Sequence, residues 1–191
     1  MKKSKLLPVA LMYVGGTGVR GSTRMQTLVF LAQEEQKVPK SFEYQPGPFG
    51  PYSPELEEAL DQLRERDLIE KDVRPNEVGN KTHYYTLTPS GIRLGQKMAQ
   101  DEGLKPYLDV GKQLKETYDD WHLDRLIRHV YREYPIYTTE SELDIERLHN
   151  VNSRSQFLEA GTGHGEQKYI GPSPEEVVQN RESVEEFFST G

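Results

Sequence analysis

Lysine and arginine gather in two places along this chain. Lys2, Lys3, Lys5, Arg20, Arg24, Lys37 and Lys40 lie in the first fifty residues, and Lys71, Arg74, Lys81 and His83 lie on and around a polar turn further on. Groups of this kind neutralise phosphates, so the chemistry they offer is contact with a polyanion. Tyr52, Ser53, Gln62, Arg64 and Arg66 are further side chains suited to nucleic acid, and Gln26 stands beside Arg24 at the start of an apolar run. The residues expected to reach a nucleic acid are Arg20, Arg24, Gln26, Tyr52, Ser53, Arg64, Arg74, Lys81 and His83. The bland alternative for most of the cations is a solvated surface charge. For Gly50-Pro51-Tyr52-Ser53 it is a rigid turn and helix cap with Tyr52 packed on the core.

Catalytic chemistry has little to work with. Cysteine is absent, which excludes a disulfide frame, a thiolate zinc site and a cysteine nucleophile. The five histidines, His83, His122, His129, His149 and His164, show no metal-ligand spacing such as His-Glu-x-x-His. His122 and His129 could share a helix face, but a surface or core role is the ordinary reading. Glu57-Glu58 and Asp119-Asp120 read as dipole and solubility groups. Gly15-Gly16-Thr17-Gly18 superficially resembles a phosphate cradle, yet it lacks the Lys-Ser/Thr of a Walker loop and follows no clear strand. It reads as a flexible turn. The expectation is a protein that is no enzyme, with no metal and no cofactor.

The elements that must position these groups follow from periodicity. Leu6 to Val14 is a helix cut off by the glycine run. A second helix starts near Ser22 or Thr23, either of which could cap it. Met25, Leu28, Val29 and Ala32 give it one buried face, widened by Phe30 and Leu31. Phe42 to Tyr44 alternates like a short strand, and prolines 46, 48 and 51 make a stiff irregular loop. Ser53 is a natural N-cap with Pro54 at the first helical position. Leu56, Ala59, Leu60 and Leu63 form that helix's apolar stripe. The segment then runs into a strand at Leu68-Ile69, a polar loop from about Asp72 to Thr82, and a strand from His83 to Leu87. Thr88-Pro89 opens a helix through Ile92, Leu94 and Met98. Helix, strand, basic loop, strand is the outline of a winged helix.

Leu123, Leu126, Ile127, Val130, Tyr131 and Tyr134 make a long stripe on a later helix, which must bury against this domain or a second subunit. Pro135 ends it. Residues 150–173 are rich in Gly, Ser, Asn and Gln and read as loop or disorder, and 174–188 could form a last short helix. The expected fold class is mainly α with a small β-hairpin (α+β). A winged helix-turn-helix-like domain spans residues 1–103, a helical extension that could dimerise spans 104–140, and a loop-rich or partly disordered tail spans 141–191.

Charge qualifies the polyanion reading. The net charge is −7, but residues 1–50 carry seven Lys/Arg against three Asp/Glu, net +4, and every later segment is acidic. The helix from Ser53 to Asp67 has six acids and two arginines. Pressing it between two phosphate strands is costly. About 16 residues separate it from the Gln-bearing helix, where a turn of roughly three or four is usual. No run of apolar residues is long enough to cross a membrane. The basic, apolar N-terminus is interrupted by Pro8 and lacks a convincing cleavage site, so a cytoplasmic protein is expected.

Several pieces together resemble a poorly characterised prokaryotic family, the YwgA-type proteins. They are Thr23-Arg24-Met25-Gln26 with Leu28 to Leu31, Phe49-Gly50-Pro51-Tyr52-Ser53, Leu56 to Ile69, and Tyr131 to Tyr137 (YREYPIY). A more distant similarity is to Panacea-type antitoxin domains, which share the Gln-bearing helix and a Gly-Pro turn. Asp67 stands where the family usually has Gly, and Thr27 where a basic residue is common. Leu63 to Ile69 followed by Tyr84 to Gly91 also resembles the second half of MarR- and PadR-like regulators, in which the hairpin is the wing. The resemblance implies a winged-helix-like domain. The expected function is a DNA-binding, dimeric transcriptional regulator contacting DNA through wing and basic N-terminal part; the alternative is a protein-interaction module, an antitoxin or adaptor, that binds no DNA.

Overall fold

The computed structural model describes residues 6–16, 18–36, 38–75 and 81–143. The chain is α+β: helices α1 (Leu6–Tyr13), α2 (Ser22–Glu35), α3 (Pro54–Glu65), α4 (Pro89–Gln100), α5 (Lys105–Tyr118) and α6 (Leu123–Glu133) accompany two small sheets. Strands β1 (Val19–Arg20), β4 (Ile69–Pro75) and β5 (Lys81–Leu87) form an antiparallel sheet in the order β1-β5-β4. Strands β2 (Gln45–Gly47) and β3 (Gly50–Tyr52) form a separate hairpin, and a 3-10 turn spans Pro135–Thr138. No described helix is long and apolar enough to cross a membrane.

Helix α2 is the axis of the core. Its apolar residues Met25, Leu28, Val29, Phe30, Leu31 and Ala32 are all buried, because α1, α5, α6, β1 and β3 pack around it. Burial on every side leaves its polar residues needing partners. Thr27 donates back to Thr23 O at 2.7 Å. Gln33 accepts from the N–H groups of Ser41 and Phe42 at 2.8 and 3.0 Å and donates to Phe42 O at 3.0 Å. Gln26 treats Ser53 in the same way, accepting its N–H at 3.0 Å and donating to its C=O at 3.2 Å. Two amides of one helix thus fasten both ends of the connection to α3.

That connection differs from the expected irregular loop. Residues 45–52 fold as a hairpin, with Pro46 opposite Pro51. Two facing prolines remove a pair of donors, and the Gln26 clamp on Ser53 supplies fixation from outside the ladder. The strand expected at Phe42 to Tyr44 is absent, since Gln33 takes the backbone of Phe42.

Helix α3 begins as its sequence requires. Ser53 Oγ accepts from Leu56 N at 3.3 Å and Pro54 opens the first turn. It ends at Glu65, and Asp67 adopts φ 55. A carboxylate side chain stands in the left-handed conformation that glycine takes at no cost. Asp67→Gly is therefore expected to stabilise the fold by about 1 kcal/mol, read as a higher urea midpoint at unchanged slope.

The second hairpin is longer than its sequence suggests. Asp72 and Arg74 belong to β4 rather than to a loop, paired with Tyr84 and Thr82. Alternation sends Val19, Ile69, His83 and Tyr85 to the core and Arg20, Asp72, Arg74 and Tyr84 outward. The α6 stripe buries Leu126, Ile127, Val130 and Tyr131 within the chain itself, so that face is not left for a second subunit. Tyr134 and Tyr137 close edge-on around Phe30 with ring centroids 5.0 and 4.8 Å away. Ile92, expected on the apolar stripe of α4, is 44% exposed. The expected helix over 174–188 lies outside the described residues.

Candidate nucleic-acid interface

The expected site residues divide into three groups. Arg20 and Arg74 come together. Arg20 on β1 and Arg74 on β4 both lie over the ring of Tyr84 on the strand between them, 5.9 and 5.1 Å from its centroid. Arg74 is half exposed and paired with Asp72 at 2.7 Å. An exposed pair of this kind contributes at most about 1 kcal/mol, so a phosphate can displace the carboxylate. Lys81 opens β5 next to residues 76–80, outside the described part of the turn.

The second group is structural. Gln26 is buried with both ends of its amide on Ser53, and Ser53 itself is buried as the cap of α3. His83 faces inward, 3.4 Å from Ser22 Oγ, which also meets Tyr85 Oη at 2.9 Å. The two-residue period of β5 puts it on the opposite face from Tyr84, so it points away from the surface that Arg20 and Arg74 share. Arg24 is half-buried. It donates to Tyr118 O at 3.2 Å and to Trp121 O, pinning the turn between α5 and α6. The third group stands apart: Tyr52 is half-buried at the end of β3, and Arg64 is exposed on α3, 3.3 Å from Asp61.

Burial holds the His83 imidazolium below its ordinary pKa of 6.5, and the Lys71 charge adds to the effect. Below pH 6.5 the unfolded chain binds a proton that the folded chain resists. Stability is therefore expected to fall as pH drops below about 6.5, and His83→Gln to flatten that part of a urea-midpoint profile. An unaltered profile in the variant would show that other groups control the acid limb.

Beside this sheet face lies a cleft of about 430 Å³. One wall is the first turn of α2, Ser22 to Arg24, with Arg20, Thr82 and Tyr84; the other is the turn from Asp119 to Leu123. Helix α2 starts without a side-chain cap, because Gly21 at φ 91 occupies the N-cap position instead of the expected Ser22 or Thr23. Tyr84, Thr23, Thr82 and this acidic turn are not among the site residues expected from the sequence. The alternation from Thr82 to Leu87 was the available signal for Tyr84, since it places Thr82, Tyr84 and Thr86 on one face. The turn carried none, because its position depends on how α5 packs against α1 and α2.

A further cluster joins three helices away from the cleft floor. Tyr118 donates to Glu35 at 2.6 Å, and His129 Nε2 lies 3.0 Å from the other carboxylate oxygen. Burial and the neighbouring Glu35 raise the Tyr118 phenol far above its ordinary range, so it stays a hydrogen-bond donor. Among the described residues no group of His, Asp and Glu is arranged to hold a metal ion. No protein-family model matches this chain, and no curated protein sequence is significantly similar to it.

Proposed function

We propose that this chain is a winged-helix DNA-binding regulator that grips the phosphate backbone with the outer face of its three-stranded sheet and the turn between β4 and β5, while α3 stays out of the major groove. The order α1, β1, α2, α3, β4, β5 with sheet order β1-β5-β4 supports the winged-helix reading; the β2-β3 hairpin is then an insertion between the two central helices. The observation that carries the functional reading is the convergence of Arg20 and Arg74 on Tyr84. The two guanidinium groups lie 5.9 and 5.1 Å from the Tyr84 ring centroid on the outer side of the sheet, where each can meet a phosphate oxygen. Base readout is minor in this arrangement. The exposed residues of α3 include Glu55, Glu58, Asp61 and Glu65, which repel a groove flanked by phosphates.

The same acidic face favours a second reading, a module that docks a partner protein with a basic surface and binds no DNA. Fluorescence anisotropy with a labelled duplex of arbitrary sequence separates the two. The regulator reading expects binding at low salt, with log K falling against log salt at a slope of about −2 to −3. Absence of binding at about 50 mM salt would favour the partner-protein reading.

A further inference from the structure

The cleft beside α2 has features that backbone contact with DNA does not use. The first hydrogen bond of α2 runs from Met25 N–H to Gly21 O, so the N–H groups of Ser22, Thr23 and Arg24 precede the helical ladder and stand at the positive end of the helix dipole. The N-cap, Gly21, supplies no side chain to cap them. Thr23 and Thr82 both line the cleft, are each 4% exposed, and carry hydroxyl oxygens that are buried without a hydrogen-bond partner. A buried unpaired hydroxyl costs about 1–3 kcal/mol, and two of them beside one uncapped helix end point to a missing acceptor. Ser22 does not share this state, since its hydroxyl meets Tyr85 and His83.

The donors define the ligand. Ser22, Thr23, Arg24, Thr82 and Arg20 all line this one cleft, and between them they carry backbone N–H groups, two buried hydroxyls and a guanidinium. A carboxylate has two oxygens with about four acceptor sites, fewer than a phosphate carries. A phosphate monoester offers three strong acceptor oxygens and close to two charges. The opposite wall is of the other sign. Asp119 is held by Lys115 at 3.1 Å, Lys115 also donates to Gly18 O at 2.7 Å, and Asp120 is exposed. That wall selects for hydroxyl or amino donors on the rest of the molecule. We infer that the cleft binds a small organic phosphate, its phosphate on the first turn of α2 and its hydroxyl or amino groups toward Asp119 and Asp120. The volume of about 430 Å³ suits a molecule of sugar-phosphate size. Arg24 acts as a positioning residue, because it ties the Asp119 to Leu123 turn to α2.

The inference does not depend on DNA binding. Isothermal titration calorimetry of the full chain tests it with glucosamine 6-phosphate, glucosamine, inorganic phosphate and a short DNA duplex. Glucosamine 6-phosphate is expected to saturate with Kd of about 1 mM or tighter, inorganic phosphate more weakly, and glucosamine not at all. Thr23→Val and Thr82→Val are each expected to weaken the phosphate ester by roughly tenfold while circular dichroism stays unchanged. If Thr23→Val does not fold, Thr82→Val and Arg20→Gln decide. No saturation by either phosphate up to about 10 mM, equal binding of glucosamine, or full binding by the folded threonine variants would overturn the proposal. Duplex binding that weakens in these variants, with no response to the small phosphates, would assign the cleft to the nucleic-acid backbone and overturn it as well.

Discussion

Gln26→Leu is expected to destabilise the protein by about 4 kcal/mol, through two buried backbone groups that lose their partner. The substituted side chain fills nearly the same volume, so packing changes little. What goes is the amide that accepts Ser53 N–H and donates to Ser53 C=O. Ser53 is fully buried, so water cannot replace either bond, and each orphaned group costs about 1–3 kcal/mol. The loss reaches further, because Ser53 caps α3 through Leu56 N. Thermal unfolding should drop by about 10 °C for a chain of this size. A nucleic-acid contact at Gln26 makes the opposite forecast: normal stability and weakened DNA binding.

Gly91→Ala is expected to cost about 3 kcal/mol, at the upper end of overpacking effects. A Cβ at Gly91 would lie 2.0 Å from Leu68 O. That oxygen cannot swing aside as a side chain would, for it accepts from Thr88 N at 3.2 Å. Thr88 also donates to Asp67 O and caps α4 by accepting from Gly91 N at 3.0 Å. The end of α3, the start of β4 and the start of α4 therefore meet within one small junction. Relief requires α4 to move off the Leu68 carbonyl, which precedes β4, the strand that carries Arg74. Gly103→Ala is the matching control, since its Cβ would meet only Asp101 Oδ1 at 3.2 Å in an exposed turn. Urea unfolding of both variants should separate them by about 3 kcal/mol.

Much of the fold was legible because local signals agreed with it. Ser53-Pro54 announced α3, Thr88-Pro89 announced α4, and the Met25 to Ala32 pattern marked the buried helix. The β2-β3 hairpin was not legible, since prolines and glycines argue against strands. Its support comes from outside the ladder, from Gln33 at the head of the connection and from Gln26, which reaches Ser53. The site was legible only in part. Arg20 and Arg74 are cations of a suitable type, but nothing local shows that both reach Tyr84. Gln26, Ser53 and His83 have residue types fit for nucleic acid, and burial alone gives them other work. Glutamine is ambiguous in this respect: the amide that would read adenine at a surface clamps a backbone in a core. The Tyr131 to Tyr137 stretch carried a family resemblance, and its Tyr134 and Tyr137 pack on Phe30, a role in the core rather than at an interface.

The proposed placement of a DNA contact on the sheet face rather than on α3 is tested most directly by comparing two double variants, Arg20→Gln/Arg74→Gln and Arg64→Gln/Arg66→Gln, in duplex binding across a salt series. The first pair is expected to weaken binding evenly for all sequences and to reduce the salt slope by about 2. The second pair is expected to leave the slope unchanged. A slope that falls in the second pair and holds in the first would place the contact on α3 and contradict this account.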